Sequence, residues 1–481
     1  MPSARLHRIS LVVLLVTFIL AFFLRTFPLT FSHYWDEAVY LQNAKVISEG
    51  RTNYSELSYR PPMLSVFFAA GFLLWDNVYV ANIVEGLLTS LVVLFSYLLV
   101  RSIWGEVTAI VVAVLFAFSP YIVEQSHQLM SDFPAVSLMT ASLLLFTRGR
   151  KSSFFFSGVL YSLSVLTRFT SIFLLVYFAL FVIVFRKNIK ILVPFFLGAV
   201  LCMLPFLAWA QYNYGSFLFP FVHARRVITE WSGYIPPSVF FHGIREIFPL
   251  IVSVGLIAGI VKIVVSLSRQ LARSDRTLLE RLSGLDDTLR HELLLLSWGS
   301  LFFIYMLTIP HKETRYLAPL VIPVLVLSAA GVVYMYKTLR ERSKFILATV
   351  VVVLIALAVR DFYPLYQRLE APLVDDSVYG SVAIAQYLEE ISGPGDTIYA
   401  VTNFPVLAFY SSRKTVSLLE VKKDSHERWR EFMNAAGFYV YFTLDAEKDV
   451  LFQKDFLDKT KNFEEINNLG DTIVYRYSPS S

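Results

Sequence analysis

Eleven apolar runs, separated by short polar segments whose basic clusters recur at every second gap, leave this chain few options other than a bundle of membrane helices. The runs are Ile9 to Phe27, Val78 to Val100, Val107 to Tyr121, Phe133 to Phe146, Phe154 to Leu166, Ile172 to Phe185, Ile191 to Ala210, Phe248 to Leu267, Leu293 to Ile309, Tyr316 to Tyr336 and Phe345 to Val359. The first is long enough to cross about 30 Å of hydrocarbon at 1.5 Å per residue. No small-residue cleavage site follows it, so an uncleaved helix is expected in place of a signal peptide. Several later runs are shorter than the ~20 residues of a straight span, and their ends must extend into flanking polar positions.

Counting sides alternately from an inside N-terminus places Arg101, Arg148 with Arg150 and Lys151, Arg186 with Lys187 and Lys190, the segment Arg269 to Arg290, and Lys337 to Lys344 all on the cytoplasmic side. Eleven crossings then leave the C-terminus outside. Slipping one helix would scatter the clusters. The expected fold class is thus a polytopic α-helical membrane protein of the cell membrane over residues 1–360. A soluble extracytoplasmic α/β domain follows over residues 361–481, where polar and charged usage returns to ordinary levels. In that domain Tyr379 to Ile391 has helical spacing, Gly393-Pro394-Gly395-Asp396 is a turn, Thr397 to Val401 is a β-branched run, and similar alternation continues through Thr415 to Leu419, Ser425 to Asn434 and Phe438 to Leu444. The run Met63 to Trp75, after Pro61-Pro62, is too short to cross and reads as an interfacial or re-entrant helix.

Composition removes several function classes. A single cysteine, Cys202, forbids an internal disulfide framework and any Cys-based zinc or iron–sulfur site. The net charge of +5 is sorted by membrane side and not gathered into a patch, so nucleic acid is excluded as a partner. No phosphate-binding Gly-rich loop with Lys-Ser/Thr, no Gly-x-Gly-x-x-Gly and no His-Glu-x-x-His occurs.

Chemistry is expected on the outer face, where two connecting segments, 28–77 and 211–247, are far longer than a helix connection needs. The first carries Trp35-Asp36-Glu37 at the start of a helical pattern. Such an acidic pair can serve as a base, a metal ligand or merely a helix cap. Asp132 stands just before the fourth run, and Arg60 precedes Pro61-Pro62. His311-Lys312-Glu313-Thr314-Arg315-Tyr316 places two cations on the side where cations are disfavoured, which suggests a phosphate to bind. Carboxylates for a base and cations for a phosphate, bordered by lipid and out of reach of nucleotide sugars, fit a transferase that draws a sugar from a polyprenyl phosphate.

The pattern Trp35-Asp36-Glu37-Ala38-Val39-Tyr40, Gly50, Arg60-Pro61-Pro62, Ser131-Asp132-Phe133-Pro134 and Arg315-Tyr316-Leu317-Ala318-Pro319 resembles the GT-C membrane glycosyltransferases. Within them it is most similar to the group of protein O-mannosyltransferases and the lipid A aminoarabinose transferase. The resemblance runs from the first helix to about Gly331. It implies Asp36 as catalytic base with Glu37 beside it, Asp132 as a second acidic position, and Arg60, Lys312, Arg315 and Tyr316 as contacts to donor phosphate. The family usually has Lys before Pro-Pro; Arg60 keeps the charge and alters its geometry. Related oligosaccharyltransferases use a divalent cation, magnesium or manganese, for which Asp36 and Asp132 are the candidate ligands, although the closer relatives do without one. The resemblance implies an inverting transferase moving sugar from dolichyl or undecaprenyl phosphate to a hydroxyl of a glycan, lipid or protein. The alternative is a transporter or flippase of lipid-linked saccharides, which predicts ionisable residues lining a path at mid-helix.

The side assignment makes a direct prediction. In a chain freed of Cys202, Trp231→Cys should react with an impermeant thiol reagent on intact cells, and Ser274→Cys only after permeabilisation. Equal labelling of both before permeabilisation would overturn the arrangement.

Overall fold

The computed structural model describes residues 4–29, 35–50, 60–185, 187–231, 233–271, 284–370, 376–418, 436–447, 450, 452–469 and 471–478. Arg186, most of the basic segment between Arg269 and Arg290, and the Ser425 to Asn434 pattern lie outside the described residues. The chain divides into two compact units, one of residues 1–30, 56–67 and 82–371, the other of residues 31–55, 68–81 and 372–481.

All eleven apolar runs are helical, but their lengths differ from the expectation of eleven plain spans. Among the described residues seven helices are long and apolar enough to cross a membrane, or eight if Glu106–Ala117 and Pro120–Ser126, bent by 48° at their break, form one span. Pro120 at the start of the second half accounts for the break. Asp132–Thr147 (α7), Lys151–Thr167 (α8) and the segment Phe169–Val184 are shorter. The chain is an integral membrane protein. Lys344–Tyr363 buries none of its apolar window, whereas Thr314–Arg342 buries 83% of it and forms the centre of the unit.

Between membrane helices lipid tails are as apolar as leucine, so association depends on close approach and on interhelical hydrogen bonds. Both are present. Leu250–Leu271 and Val321–Arg342 meet glycine to glycine: a Cβ on Gly331 would stand 2.1 Å from the Gly255 carbonyl oxygen and 2.3 Å from the Gly259 nitrogen. The Ser328 hydroxyl donates to the Val252 carbonyl at 2.8 Å across the same seam. Helices α7 and α8 exchange hydroxyl bonds, Ser142 to the Ser157 carbonyl and Ser157 to the Ser142 carbonyl, both at 2.8 Å.

Ionisable groups within the helices are matched locally. Lys262 pairs with Glu292, which also accepts from the Trp104 indole at 2.9 Å. The Arg25 guanidinium, 1% exposed, donates to the carbonyls of Thr89 and Phe116, joining the first helix to Val78–Trp104 and Glu106–Ala117.

The second unit contains a five-stranded sheet of order β2-β1-β3-β5-β4, with β1 Thr397–Ala400, β2 Lys414–Ser417, β3 Gly437–Phe442, β4 Phe463–Asn468 and β5 Thr472–Tyr477. Strand β1 is parallel to β2 and β3, while β5 is antiparallel to β3 and β4. Side chains alternate between faces as the strand period requires. Tyr399, Tyr439, Tyr475 and Phe463 pack on one face, while Ile398, Phe438, Val440 and Val474 meet the helices Asp376–Ile391 and Phe404–Ser411 on the other. The sequence reading omitted the helix Phe404–Ser411 and strands β4 and β5. The first is only eight residues long, and β4 is an edge strand bearing Glu and Asn in place of an apolar alternation.

The glycine seam gives a test of packing against propensity. Gly331→Ala should lower the melting temperature of the purified protein by several degrees, because backbone stands where the methyl must go. Gly380→Ala, in a helix with open space around that position, should be neutral or stabilising by up to about 1 kcal/mol. Stabilisation by both would contradict the seam.

Candidate active site

In the membrane unit the site is built where helix ends and the 311–316 loop converge. Helix α7 begins at Asp132, preceded by Met130 and Ser131. Helix α8 ends at Arg168, whose extended backbone separates it from the 3₁₀ turn Phe169–Phe173. Arg168 Nη1 donates to Asp132 Oδ2 at 3.0 Å, and Nη2 stands 3.0 Å from Oδ1 in the same ion pair. The Asp132 side chain is 1% exposed and that of Arg168 13%. The Arg168 Nε is buried with no hydrogen-bond partner among the described residues. Its guanidinium carbon lies 5.4 Å from the centre of the Tyr316 ring.

Tyr316 leads into a second cluster. Its hydroxyl donates to Glu313 Oε1 at 3.1 Å, His311 Nε2 lies 2.9 Å from the same oxygen, and Arg315 Nε donates to Glu313 Oε2. Arg315 Nη1 reaches the Met130 sulfur at 3.2 Å, closing the arc back to the start of α7. Burial pushes the Glu313 carboxyl upward; Arg315, with hydrogen bonds from Arg315, His311 and Tyr316, outweighs that and holds it below its ordinary value.

Lys312 points elsewhere. It is 2% exposed, and its ammonium donates to the carbonyls of Ile309, Ile235 and Pro310, 5.3 Å from the Tyr234 ring centre. The Ile235 amide donates to the Pro310 carbonyl at 3.0 Å and the His311 amide to the Ile228 carbonyl at 3.4 Å. A Cβ on Gly243, in the helix Ser238–Ile247, would stand 2.6 Å from the Thr314 hydroxyl oxygen. Ile228, Ile235 and Gly243 therefore hold the 311–316 loop in position.

The structure thus joins Asp132, Arg315 and Tyr316 through two residues the sequence reading gave no role, Arg168 and Glu313. A signal for Arg168 was available: like Lys312 and Arg315, it is a cation at the expected outer end of a helix. Its pairing with Asp132, 36 residues away, was not readable from spacing. Arg60, half-buried, immediately precedes Pro61-Pro62 and the helix Met63–Phe72.

Asp36 and Glu37 belong to the other unit, in the first turn of the helix Trp35–Ser48 (α2), where carboxylates favour the positive end of the helix dipole. Glu37 is 3% exposed and Asp36 is half-buried. Asp132 presents both oxygens to a guanidinium and is a poor donor for a divalent ion. No group of three or more His, Cys, Asp or Glu side chains suited to a metal occurs among the described residues.

Comparison with solved structures decides the fold. ArnT from Cupriavidus metallidurans bound to undecaprenyl phosphate superposes with a TM-score of 0.69, covering 97% of each chain at 13% identity. The Archaeoglobus fulgidus oligosaccharyltransferase tethered to an acceptor peptide gives 0.65, over 98% of this chain and 74% of that one at 14% identity. This chain has the GT-C fold. The profile of the dolichyl-phosphate-mannose-protein mannosyltransferases matches residues 59–212, a stretch holding Arg60, Asp132 and Arg168 but neither the acidic pair nor the 311–316 loop. No curated protein sequence matches the chain.

The depressed Glu313 carboxyl fixes a pH dependence. A carboxyl lowered in the folded state adds stability above its unfolded value, about 4.3, and loses it as pH falls through the folded value. Glu313→Gln should therefore be less stable than wild type at pH 7, with the gap closing below about pH 4.3 in melts run across pH. A gap unchanged through the acid range would contradict the cluster.

Proposed function

We propose that this protein is a lipid-linked sugar transferase that moves a sugar from a polyprenyl phosphate to an acceptor hydroxyl of a glycan, lipid or protein at the outer face of the cell membrane, with its N-terminus in the cytoplasm. The observation that carries the reading is the arc of Arg168, Asp132, Tyr316, Glu313 and Arg315: two guanidinia braced by two carboxylates at the ends of membrane helices. Such bracing keeps each cation oriented, and Arg168 retains a buried Nε–H for an oxygen of an incoming phosphate. The GT-C fold, shared with an ArnT bound to undecaprenyl phosphate, supports the lipid carrier.

The roles follow from charge. The acceptor hydroxyl has a pKa far above neutrality, so its proton passes to the Asp36 carboxylate as its oxygen bonds to the sugar C1. The C1–O bond to phosphate breaks with its electron pair going to the phosphate oxygen, and a single displacement inverts the anomeric centre. That oxygen needs positive charge more than a proton, and Arg168, Arg315 and Arg60 supply it. Asp132 holds Arg168 in place, Glu37 orients the start of α2, and Lys312 acts through the loop it pins.

In the purified protein, Arg315→Ala and Arg168→Met should each weaken binding of a polyprenyl phosphate by about 10–100-fold, the equivalent of roughly 1.5–3 kcal/mol for a charge-assisted bond. Asp36→Asn should bind it normally and turn over about 10²–10⁴-fold more slowly. Unchanged lipid binding in both folded arginine variants would falsify the phosphate assignment, and near-normal turnover of Asp36→Asn the base.

A further inference from the structure

The helix that carries the acidic pair depends on the helices it rests on, Asp376–Ile391 and Phe404–Ser411, which cover one face of the sheet. Helix α2 has 14 residues, a length at which an isolated helix is marginal in water and depends on packing for its direction. Ala38, Val39, Leu41 and Ala44 are wholly buried. The Trp35 ring meets Phe404 edge to face at 4.6 Å, and Ala38 packs with Val382 and Val406 beside Tyr410. At the far end Lys45 pairs with Asp76 at 2.5 Å and stands 5.9 Å from the Phe72 ring centre. All of these residues lie in the second unit.

The seat has a particular address. Phe404 opens the helix Phe404–Ser411 four residues beyond the end of β1. Strand β1 is flanked by parallel β2 on one side and parallel β3 on the other. In open α/β sheets the crevice beyond the carboxyl ends of the parallel strands, where the strand order reverses, is where functional groups are ordinarily gathered. Here the first residue of α2 packs at that edge, and Asp36 is the next residue in the chain.

We propose that Trp35, seated on Phe404, and Ala38, seated on Val406, position the Asp36 carboxylate between them in the chain, so that the sheet domain serves the chemistry by aiming the base. The inference rests on Asp36 being that base. Loss of the edge-to-face contact at the first residue of the helix will loosen its start, and a displacement of about 1 Å at a reacting group can cost roughly 10²-fold in rate.

The test compares Trp35→Ala, Trp35→Phe, Val406→Ala and Asp36→Asn in the full-length purified protein. It reads turnover, KM for donor, binding of a polyprenyl phosphate, and hydrogen exchange along α2 and the sheet strands. Trp35→Ala should lower kcat about 10–100-fold while KM and lipid binding hold. Its α2 amides should exchange faster while those of the strands do not, and Trp35→Phe should restore both rate and protection. Val406→Ala, acting from the sheet side, should reproduce the loss in milder form. The residual activity of Trp35→Ala should keep the base limb of the pH profile, which Asp36→Asn lacks. Faster exchange with wild-type kcat, or lost kcat with unchanged exchange, would overturn the positioning role. Full turnover by Asp36→Asn would remove the base itself, an outcome the exchange data separate from any failure of the seat.

Discussion

The Asp132–Arg168 pair is the interaction around which the membrane unit is organised. A carboxylate 1% exposed at the start of a membrane helix is tolerable only with a matched cation, and Arg168 supplies one through a hydrogen bond to Oδ2 and a close approach to Oδ1, each at 3.0 Å. Removing either partner alone strands the other, at a cost of about 3–5 kcal/mol. The pair fixes the start of α7 against the end of α8, and from that junction Tyr316 and the 311–316 loop take their places. The same rule runs through the bundle, where Lys262 is matched by Glu292 and Arg25 by helix carbonyls. Among the described residues these groups are spent on holding helices together.

Brace and ligand site are one structure in this arrangement. A guanidinium oriented by a carboxylate on one edge keeps donors on another, so in the proposed reaction a lipid phosphate would meet a cation already desolvated and aimed. Lys312 shows the contrast: buried to 2% exposure and committed to three carbonyls, it spends its donors on the loop. Its value is mechanical, since the segment 228–243 and the 311–316 loop share those bonds.

Much of this was legible in the sequence. Apolar run length located the long membrane helices, because the bilayer imposes it on any chain. Arg315 stood out with Lys312 because cations on the expected outer side break the sidedness rule for Lys and Arg, and Tyr316 came from the family motif. The partnership of Arg168 with Asp132 was hidden, since it depends on how α7 and α8 pack and not on any spacing along the chain. Glu313 was hidden by its neighbours: within His311-Lys312-Glu313-Thr314-Arg315-Tyr316 the lysine draws attention, yet the glutamate gathers the cluster. The acidic pair was recognised from its motif, but its support was not. The expected boundary at residue 360 follows composition, whereas contacts assign 31–55 and 68–81 to the unit that holds the sheet.

The central claim is a single displacement at C1 of a sugar on a lipid phosphate, and its most direct test is the fate and stereochemistry of that sugar. The purified protein should be incubated with polyprenyl phosphates carrying anomerically labelled sugars and a membrane extract, and the product resolved by NMR. The account predicts label in an acceptor glycoside of inverted configuration, with free polyprenyl phosphate released in equal amount. Label that stays on the lipid, merely moved from one leaflet to the other, or a product of retained configuration would contradict it.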